Sequence, residues 1–208
     1  MAKLQFAQFF LGALATNCYL MHNGEEAFVI DPGGSPEEVL DYLKKNNLKL
    51  TRIFNTHLHF DHVSGNRALA AATGARIYAN ERDSYLKEEN RQAPSLYGMP
   101  AVEDFQFENL DEGVLHILGA EMRILATPGH TPGGLSFYLP EYNLLFCGDV
   151  LFRRDVGRTD FKGGDTETLI ESIRRKLYTL PDSTRVCPGH EEGTVIGEEK
   201  QLNQYVRA

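Results

Sequence analysis

His57-Leu58-His59-Phe60-Asp61-His62 is the most informative stretch of this chain. It places four side chains of metal-ligand type within six residues, and three of the chain's seven histidines are among them. Neutral imidazoles are good ligands for zinc or iron, and a carboxylate beside them adds negative charge. The stretch follows an apolar run at residues 52–55, and the turn after a strand gives metal ligands a stiff support. We therefore interpret it as a metal-binding turn rather than a solvated polar loop.

Three later places repeat one pattern, in which an apolar run and a sharp turn precede a ligand-type residue. They lie at residues 122–130, 143–149 and 184–190. Short apolar runs that end at Pro-Gly or Gly are typical of buried strands, and open α/β sheets carry functional groups at the carboxyl ends of their strands. We therefore predict a metal site shared by His57, His59, Asp61, His62, His130, Asp149 and His190. Five protonated histidines would repel one another, and a bound cation resolves that conflict.

The ordered motifs H-x-H-x-D-H, P-G-H, G-D and P-G-H resemble those of the metallo-β-lactamase-fold hydrolases, and every ligand position matches. Asp31, after the apolar run 27–30, resembles that family's early strand-end aspartate. The run Gly157-Arg158-Thr159-Asp160 is similar to the glyoxalase II and persulfide dioxygenase branches. The resemblance implies an α/β fold, a four-layer αββα sandwich of two mixed sheets with helices outside and metals at one edge.

The resemblance also assigns the ligands. One metal would be held by His57, His59 and His130, the other by Asp61, His62 and His190, while Asp149 and a hydroxide bridge them. It implies two Zn²⁺ per chain, with iron or manganese as alternatives, and makes Asp61 and Asp149 the catalytic carboxylates. The residues agree with this assignment, because Asp149 is the only carboxylate at a strand-end turn between the two P-G-H turns. Bound metal lowers the pKa of water to about 7, so no serine or cysteine nucleophile is needed.

The function implied by the resemblance is that of a metal-dependent thioesterase of the glyoxalase II type. It would convert hydroxyacylglutathione, or a related thioester, and water into an acid and a thiol, with the metal-bridging hydroxide as nucleophile. The alternatives are an iron-dependent persulfide dioxygenase and a lactone or ester hydrolase of the same fold. Aspartate rather than cysteine at position 149 disfavours a typical zinc β-lactamase.

The loop after Asp149 carries the candidate for substrate binding. Four cations lie in residues 152–162 of an otherwise acidic chain. Arg158 stands where glyoxalase II has a basic residue that contacts glutathione, and arginine can bind a carboxylate with two hydrogen bonds. A structural ion pair with Asp160 or Asp155 is the alternative for Arg158. The resemblance implies that Tyr97 or Met99 lies in a segment that borders the active site, and a surface loop without a role is the alternative for that segment.

The chain ends 18 residues after His190, so we expect no C-terminal helical domain of the kind that full-length glyoxalase II carries. We assign residues 1–208 to a single metallo-β-lactamase-fold domain, and 208 residues suit one domain with a full core. A net charge of −8 argues against nucleic-acid or anionic-membrane partners. The partner that the resemblance implies is a small-molecule thioester or ester. No apolar run is long enough to span a membrane, so the cytoplasm is the expected location. The oligomeric state stays unknown.

The three cysteines, Cys18, Cys147 and Cys187, are interpreted as small buried apolar side chains in a reducing compartment. Asp31 and Thr56 are expected to orient ligand histidines or to serve only their local turns.

Local signals predict the ends of several elements. Strands are expected at about residues 4–10 and 17–22, and His22 is read as a surface histidine at a strand end. Ser35 and Glu38 form a capping-box pattern that predicts a helix start, and Asp165 is expected to cap a later helix.

Overall fold

The computed structural model describes residues 3–91, 94–95 and 101–207 of the chain. The chain divides into two compact units, Met1–Leu110 and Asp111–Ala208. Within the described ranges each unit holds one six-stranded mixed sheet together with helices, which confirms the predicted fold class. The assignment of the whole chain to one domain stays a prediction. Tyr97 and Met99 lie outside the described residues.

The first unit builds one sheet whose spatial order follows the chain. Its strands are β1 (Gln5–Leu11), β2 (Thr16–His22), β3 (Glu26–Ile30), β4 (Lys49–Phe54), β5 (Arg76–Ala79) and β6 (Glu108–Asn109). Its helices are α1 (Glu37–Lys45), α2 (Phe60–Val63), α3 (Asn66–Thr73) and α4 (Leu86–Glu89). The strands β1 to β3 pair antiparallel, and β3 to β6 run parallel. Because Ile30 pairs with Phe54, Asp31 and the histidine-rich turn leave the sheet at one edge.

The start of α1 differs from the prediction. Pro36 occupies the N-cap position, and its side chain makes no capping hydrogen bond. The hydroxyl of Ser35 donates instead to the carboxylate of Glu37. In a capping box the serine oxygen accepts from a backbone amide of the first helical turn. Because Pro36 rather than Ser35 stands at the N-cap, the predicted capping box does not form.

The second unit carries the remaining strands. Its strands are β7 (Gly113–Ile117), β8 (Ala120–Ala126), β9 (Leu135–Leu139), β10 (Leu144–Gly148), β11 (Leu151–Phe152), β12 (Asp155–Val156), β13 (Arg185–Pro188) and β14 (Thr194–Val195). The sheet order is β14-β13-β10-β9-β8-β7, and β11 and β12 form a separate hairpin. Helix α5 (Thr166–Ser172) continues into a π-helical turn at Ile173–Leu177, and α6 (Ile196–Leu202) follows β14. The side chain of Asp165 caps α5 by accepting from the Thr168 amide at 2.7 Å, as predicted.

None of the helices in the described ranges is both long and apolar enough to cross a membrane.

The cysteines behave as the sequence predicted. Cys18, Cys147 and Cys187 are all buried free thiols. Burial raises the pKa of Cys147 and of Cys187 to about 12, and it also raises the pKa of Cys18. Because the thiolate is the reactive form of cysteine, these three side chains are poor nucleophiles at neutral pH.

His22 is buried, with 3 % of its surface exposed, so its reading as a surface histidine was wrong. It ends β2, all of whose residues are buried. Its Nε2 shares a hydrogen bond of 3.2 Å with the hydroxyl of Tyr42 on α1, and the two rings meet edge to face. Burial lowers the pKa of His22, because the imidazolium form loses its hydration.

We expect His22 to make the protein less stable in mild acid. Since its pKa is lower in the folded chain than in the unfolded one, the unfolded chain binds the proton first as pH falls. Stability is then full above the unfolded pKa of about 6.5 and declines below it, down to the folded pKa. Urea unfolding from about pH 7 to pH 5 should show a shallower decline for His22→Gln than for the wild type. Equal slopes would contradict this role.

Candidate functional site

The first unit brings together the four ligand-type side chains of the central motif. The turn after β4 carries His57 and His59, and α2 carries Asp61 and His62. The ligand atoms of His57 lie within 4.8 Å of those of His59 and of His62. The Asp61 carboxylate lies 3.7 Å from His62 Nε2. The structure therefore brings together the four ligand-type residues that the sequence motif predicted, and their role as metal ligands stays a prediction.

Asp31 organises two of these histidines. It follows β3, is 1 % exposed, and has a positive φ of 52°. Its carboxylate accepts hydrogen bonds from the Thr56 amide at 2.8 Å, the Thr56 hydroxyl at 2.7 Å and His62 Nδ1 at 3.0 Å. The single hydroxyl proton of Thr56 is thus given to Asp31, so the Thr56 oxygen accepts from His57 Nδ1 at 3.0 Å.

The consequence of this network is one defined tautomer for both His57 and His62. With the proton on Nδ1, the lone pair of each ring is on Nε2, which is then the atom available to a metal. A carboxylate behind a histidine also raises its basicity as a ligand. Of the two roles that the sequence left open for Asp31 and Thr56, these contacts agree with the orienting one.

Sequence reasoning missed two residues that hold the same turn. The amide of Leu58 donates to Asp83 Oδ2 at 3.3 Å, and Asn90 Nδ2 donates to the Leu58 carbonyl at 2.8 Å. Asp83 and Asn90 are both buried. Because Leu58 separates His57 from His59, these two contacts fix the backbone between two ligands. No local motif marks either residue, so the sequence alone carries no signal for these two contacts.

Two motif glycines are required by close backbone approaches. A Cβ atom at Gly33 would lie 1.8 Å from the carbonyl oxygen of Asp61, and one at Gly157 would lie 1.8 Å from that of Asp149. Each glycine therefore lets a neighbouring loop pack directly against the backbone of a ligand residue.

The second unit brings together the other three predicted ligands. His130 follows the Pro128-Gly129 turn, Asp149 follows β10, and His190 follows the adjacent parallel strand β13. Asp149 Oδ2 lies 3.7 Å from His130 Nε2 and 3.6 Å from His190 Nε2. Donor atoms that each bind one ion at about 2.1 Å in tetrahedral geometry stand about 3.4 Å apart, so these spacings suit shared coordination.

A backbone carbonyl sets the tautomer of His130. Its Nδ1 donates to the carbonyl oxygen of Arg158 at 2.7 Å, which leaves Nε2 facing Asp149 as a metal donor. The part of Arg158 that contacts the ligand set of this unit is therefore its backbone.

The side chain of Arg158 contacts two residues that follow it closely in the chain. Its guanidinium makes two hydrogen bonds of 2.7 Å to the carboxylate of Asp160 and lies 3.9 Å from the centre of the Phe161 ring. The hydrogen bond from Arg158 holds the pKa of Asp160 at about 2. Of the alternatives that the sequence left open, the structure shows the ion pair with Asp160.

The other arginines of this loop also have acidic partners. Arg153 pairs with Glu192, and Arg154 pairs with Glu198 and Glu199. The cationic loop is therefore largely charge-neutralised.

The donor chemistry fits metal ions. Both units supply imidazole nitrogens and carboxylate oxygens, and the remote nitrogens of His57, His62 and His130 are already held by protein groups. Such sets suit Zn²⁺ and Fe²⁺. The histidines and aspartates are therefore compatible with binuclear metal binding.

Known proteins resemble this chain over nearly its full length. A family model described as "Metallo-beta-lactamase superfamily" matches residues 11–190. The hydroxyacylglutathione hydrolase GloC of Haemophilus influenzae is 38 % identical over 201 residues, covering 94 % of this chain and 95 % of that protein.

Solved structures agree with the fold. The di-iron-bound form of TTHA1623 matches with a TM-score of 0.88 and 36 % identity, covering 96 % of this chain and 100 % of that one. The BLEG-1 B3 metallo-beta-lactamase matches with a TM-score of 0.86 and 33 % identity, covering 98 % and 100 %. Proteins with different names thus share this fold, and the fold alone does not decide which activity a member has.

Proposed function

The chain belongs to the metallo-beta-lactamase superfamily and is a metallo-hydrolase of it, and from this premise we propose that it is a thioesterase acting on hydroxyacylglutathione or a similar small thioester. The observation that carries the proposal is the match to GloC over 95 % of that protein's length. A relative that this chain covers over 95 % of its length bears the name hydroxyacylglutathione hydrolase, which supports such a substrate.

We assign the two donor sets to two metal ions. His57, His59 and His130 would hold one ion, Asp61, His62 and His190 the other, and Asp149 both. Two Zn²⁺ ions are the first choice, and the di-iron form of TTHA1623 supports iron as the alternative. The chemistry that such ions supply is a lowered pKa of water and polarisation of a carbonyl.

The residues of the chain prepare this chemistry. Asp31 and Thr56 keep protons on the Nδ1 atoms of His57 and His62, so that both rings are neutral donors. Asp61 and Asp149 would offset the positive charge of two bound cations. Departure of a thiolate makes little demand on a general acid, because ordinary thiols have a pKa of about 8.5.

We propose Arg158 as the anchor for a substrate carboxylate, and this role requires it to exchange Asp160 for the substrate. Arg158→Ala should then raise KM for S-lactoylglutathione more than it lowers kcat. The informative partner variant is Asp160→Asn, which removes the competing charge and should lower KM. An unchanged KM in both variants would show that Arg158 forms only its ion pair with Asp160 and does not bind the substrate. Arg153→Ala is the matched control, because Arg153 lies in the same loop and also pairs with an acidic residue, Glu192.

The deciding experiment is kcat/KM for S-lactoylglutathione on protein whose metal content has been measured. A value above about 10⁴ M⁻¹s⁻¹ with two metals per chain is expected and is in the range of enzymes on their own substrates. A negligible rate with two metals would overturn the substrate and redirect the assay to other thioesters, esters and lactones. A negligible rate with a single iron would favour persulfide oxidation instead.

We further propose a small-molecule substrate as the only class of partner, and the cytoplasm as the location. Three buried free thiols suit a reducing compartment, and the net charge of −8 disfavours nucleic acid and anionic membranes.

A further inference from the structure

We infer that Glu199 is a positioning residue for the metal ligands of the second unit, an inference whose activity readout rests on the proposed function. Glu199 lies on α6, beyond the residues 11–190 that the family model matches. Its side chain is completely buried. Ionised carboxylates are almost never fully buried unless they are paired, so its partners indicate what it does.

Four donors converge on this carboxylate. Arg154 contributes its guanidinium at 2.6 Å and its backbone amide at 2.9 Å. The hydroxyl of Thr194 donates at 2.6 Å and Asn203 Nδ2 at 3.0 Å. A buried carboxylate with this many charge-assisted or neutral hydrogen bonds is held in one place, because the loss of any partner would leave charge without compensation.

What Glu199 holds is the tip of the hairpin made by β11 and β12. Arg154 occupies that tip with a positive φ of 66°, a conformation that costs an arginine free energy and needs support from its surroundings. Asn203 reinforces the contact, because its Nδ2 also donates to the carbonyl of Asp155 at 3.0 Å.

The hairpin connects two parts of the ligand set. Its first strand begins two residues after Asp149, and its second strand ends two residues before Arg158. The amide of Gly157 closes the base by donating to the Val150 carbonyl at 3.2 Å. The carbonyl of Arg158 then accepts from His130 Nδ1. A displacement at the tip is therefore carried to the Asp149 backbone and to the hydrogen bond that orients His130.

The neighbouring residue Glu198 provides a matched control. It lies on the same helix, pairs with the same arginine at 2.8 Å, and is about half exposed, with 52 % of its side chain accessible. Exposed ion pairs contribute little to stability. If the arginine pair alone mattered, Glu198→Gln and Glu199→Gln would have similar effects.

The test measures the His130–Arg158 hydrogen bond directly. The readout is the solvent-exchange rate of the His130 Nδ1 proton in NMR spectra of the protein as purified, assigned by its loss in His130→Gln. Glu199→Gln should speed this exchange at least about tenfold, because the acceptor carbonyl is no longer held, and Glu198→Gln should leave it unchanged. In the thioester assay Glu199→Gln should lower kcat about tenfold with little change in KM.

Each outcome separates the inference from the proposed function. If a folded Glu199→Gln protein kept the wild-type exchange rate of the His130 Nδ1 proton and the wild-type kcat, Glu199 would serve only to attach α6. That result would overturn the inference. If that variant does not fold, Thr194→Val removes one donor at nearly constant volume and should speed exchange to a smaller extent; no change there would also overturn it. Faster exchange in Glu199→Gln, in a protein without thioesterase activity, would uphold the inference and reject the proposed function.

Discussion

Asp149→Ala is expected to lower the hydrolysis rate at least about 100-fold and to leave fewer than two metals per chain. Asp149 is the one carboxylate of the second unit's donor set, and its Oδ2 stands 3.7 and 3.6 Å from the Nε2 atoms of His130 and His190. An alanine leaves two neutral imidazoles with no negative charge between them. The measurement is kcat/KM together with metal content on the same sample.

Asp149→Asn is the matched variant, since it keeps the shape of the side chain and removes its charge. It should resemble Asp149→Ala in rate if charge is what matters, and it should unfold at the same urea concentration as the wild type if the metal-free fold does not need the charge. Full activity with two metals in either variant would show that Asp149 does not bridge.

Asp31→Ala is expected to weaken metal binding about 10- to 100-fold and to destabilise the first unit. Three donors lose their acceptor at once, namely the amide and hydroxyl of Thr56 and the Nδ1 proton of His62. A buried donor left unsatisfied costs about 1–3 kcal/mol, so the loss should be roughly 3 kcal/mol or more. Alanine also tolerates the positive φ at this position less well than aspartate does.

The control for Asp31 is Thr56→Val. It removes the hydroxyl that links Asp31 to His57 and leaves the direct contact between Asp31 and His62 in place. We expect a metal affinity between those of the wild type and Asp31→Ala, measured by competition with a chelator. Wild-type affinity in a folded Asp31→Ala protein would show that these histidines need no orienting group.

Four of the ligand-type side chains could be predicted from the sequence because each one follows the end of an apolar strand closely. His57, His130, Asp149 and His190 stand at the ends of runs whose composition is local information. The same holds for the cap that Asp165 forms on α5, which depends on an atom three residues away. Predictions of this kind succeed because partner and signal lie in the same short segment.

Where the sequence-based prediction was wrong or missing, a partner residue far away in the sequence determined the burial or the contacts of the side chain. His22 is buried because Tyr42, 20 residues later, covers it. Asp83 and Asn90 make hydrogen bonds to Leu58 from 25 and 32 residues away in the sequence. Glu199 makes hydrogen bonds to Arg154 from 45 residues away. A single sequence contains no signal for such pairs, because either partner is an ordinary polar residue until the fold brings them together.

The sequence by itself determined the donor chemistry, the order of the ligands along the chain and the strands that carry them. Those features follow from residue type and from the alternation of apolar runs with sharp turns. Only the tertiary structure decided which nitrogen of His57, His62 and His130 faces a metal, since each tautomer depends on a hydrogen-bond partner supplied by the fold. It also decided that Arg158 meets Asp160, because the direction of a long flexible side chain is set by its surroundings.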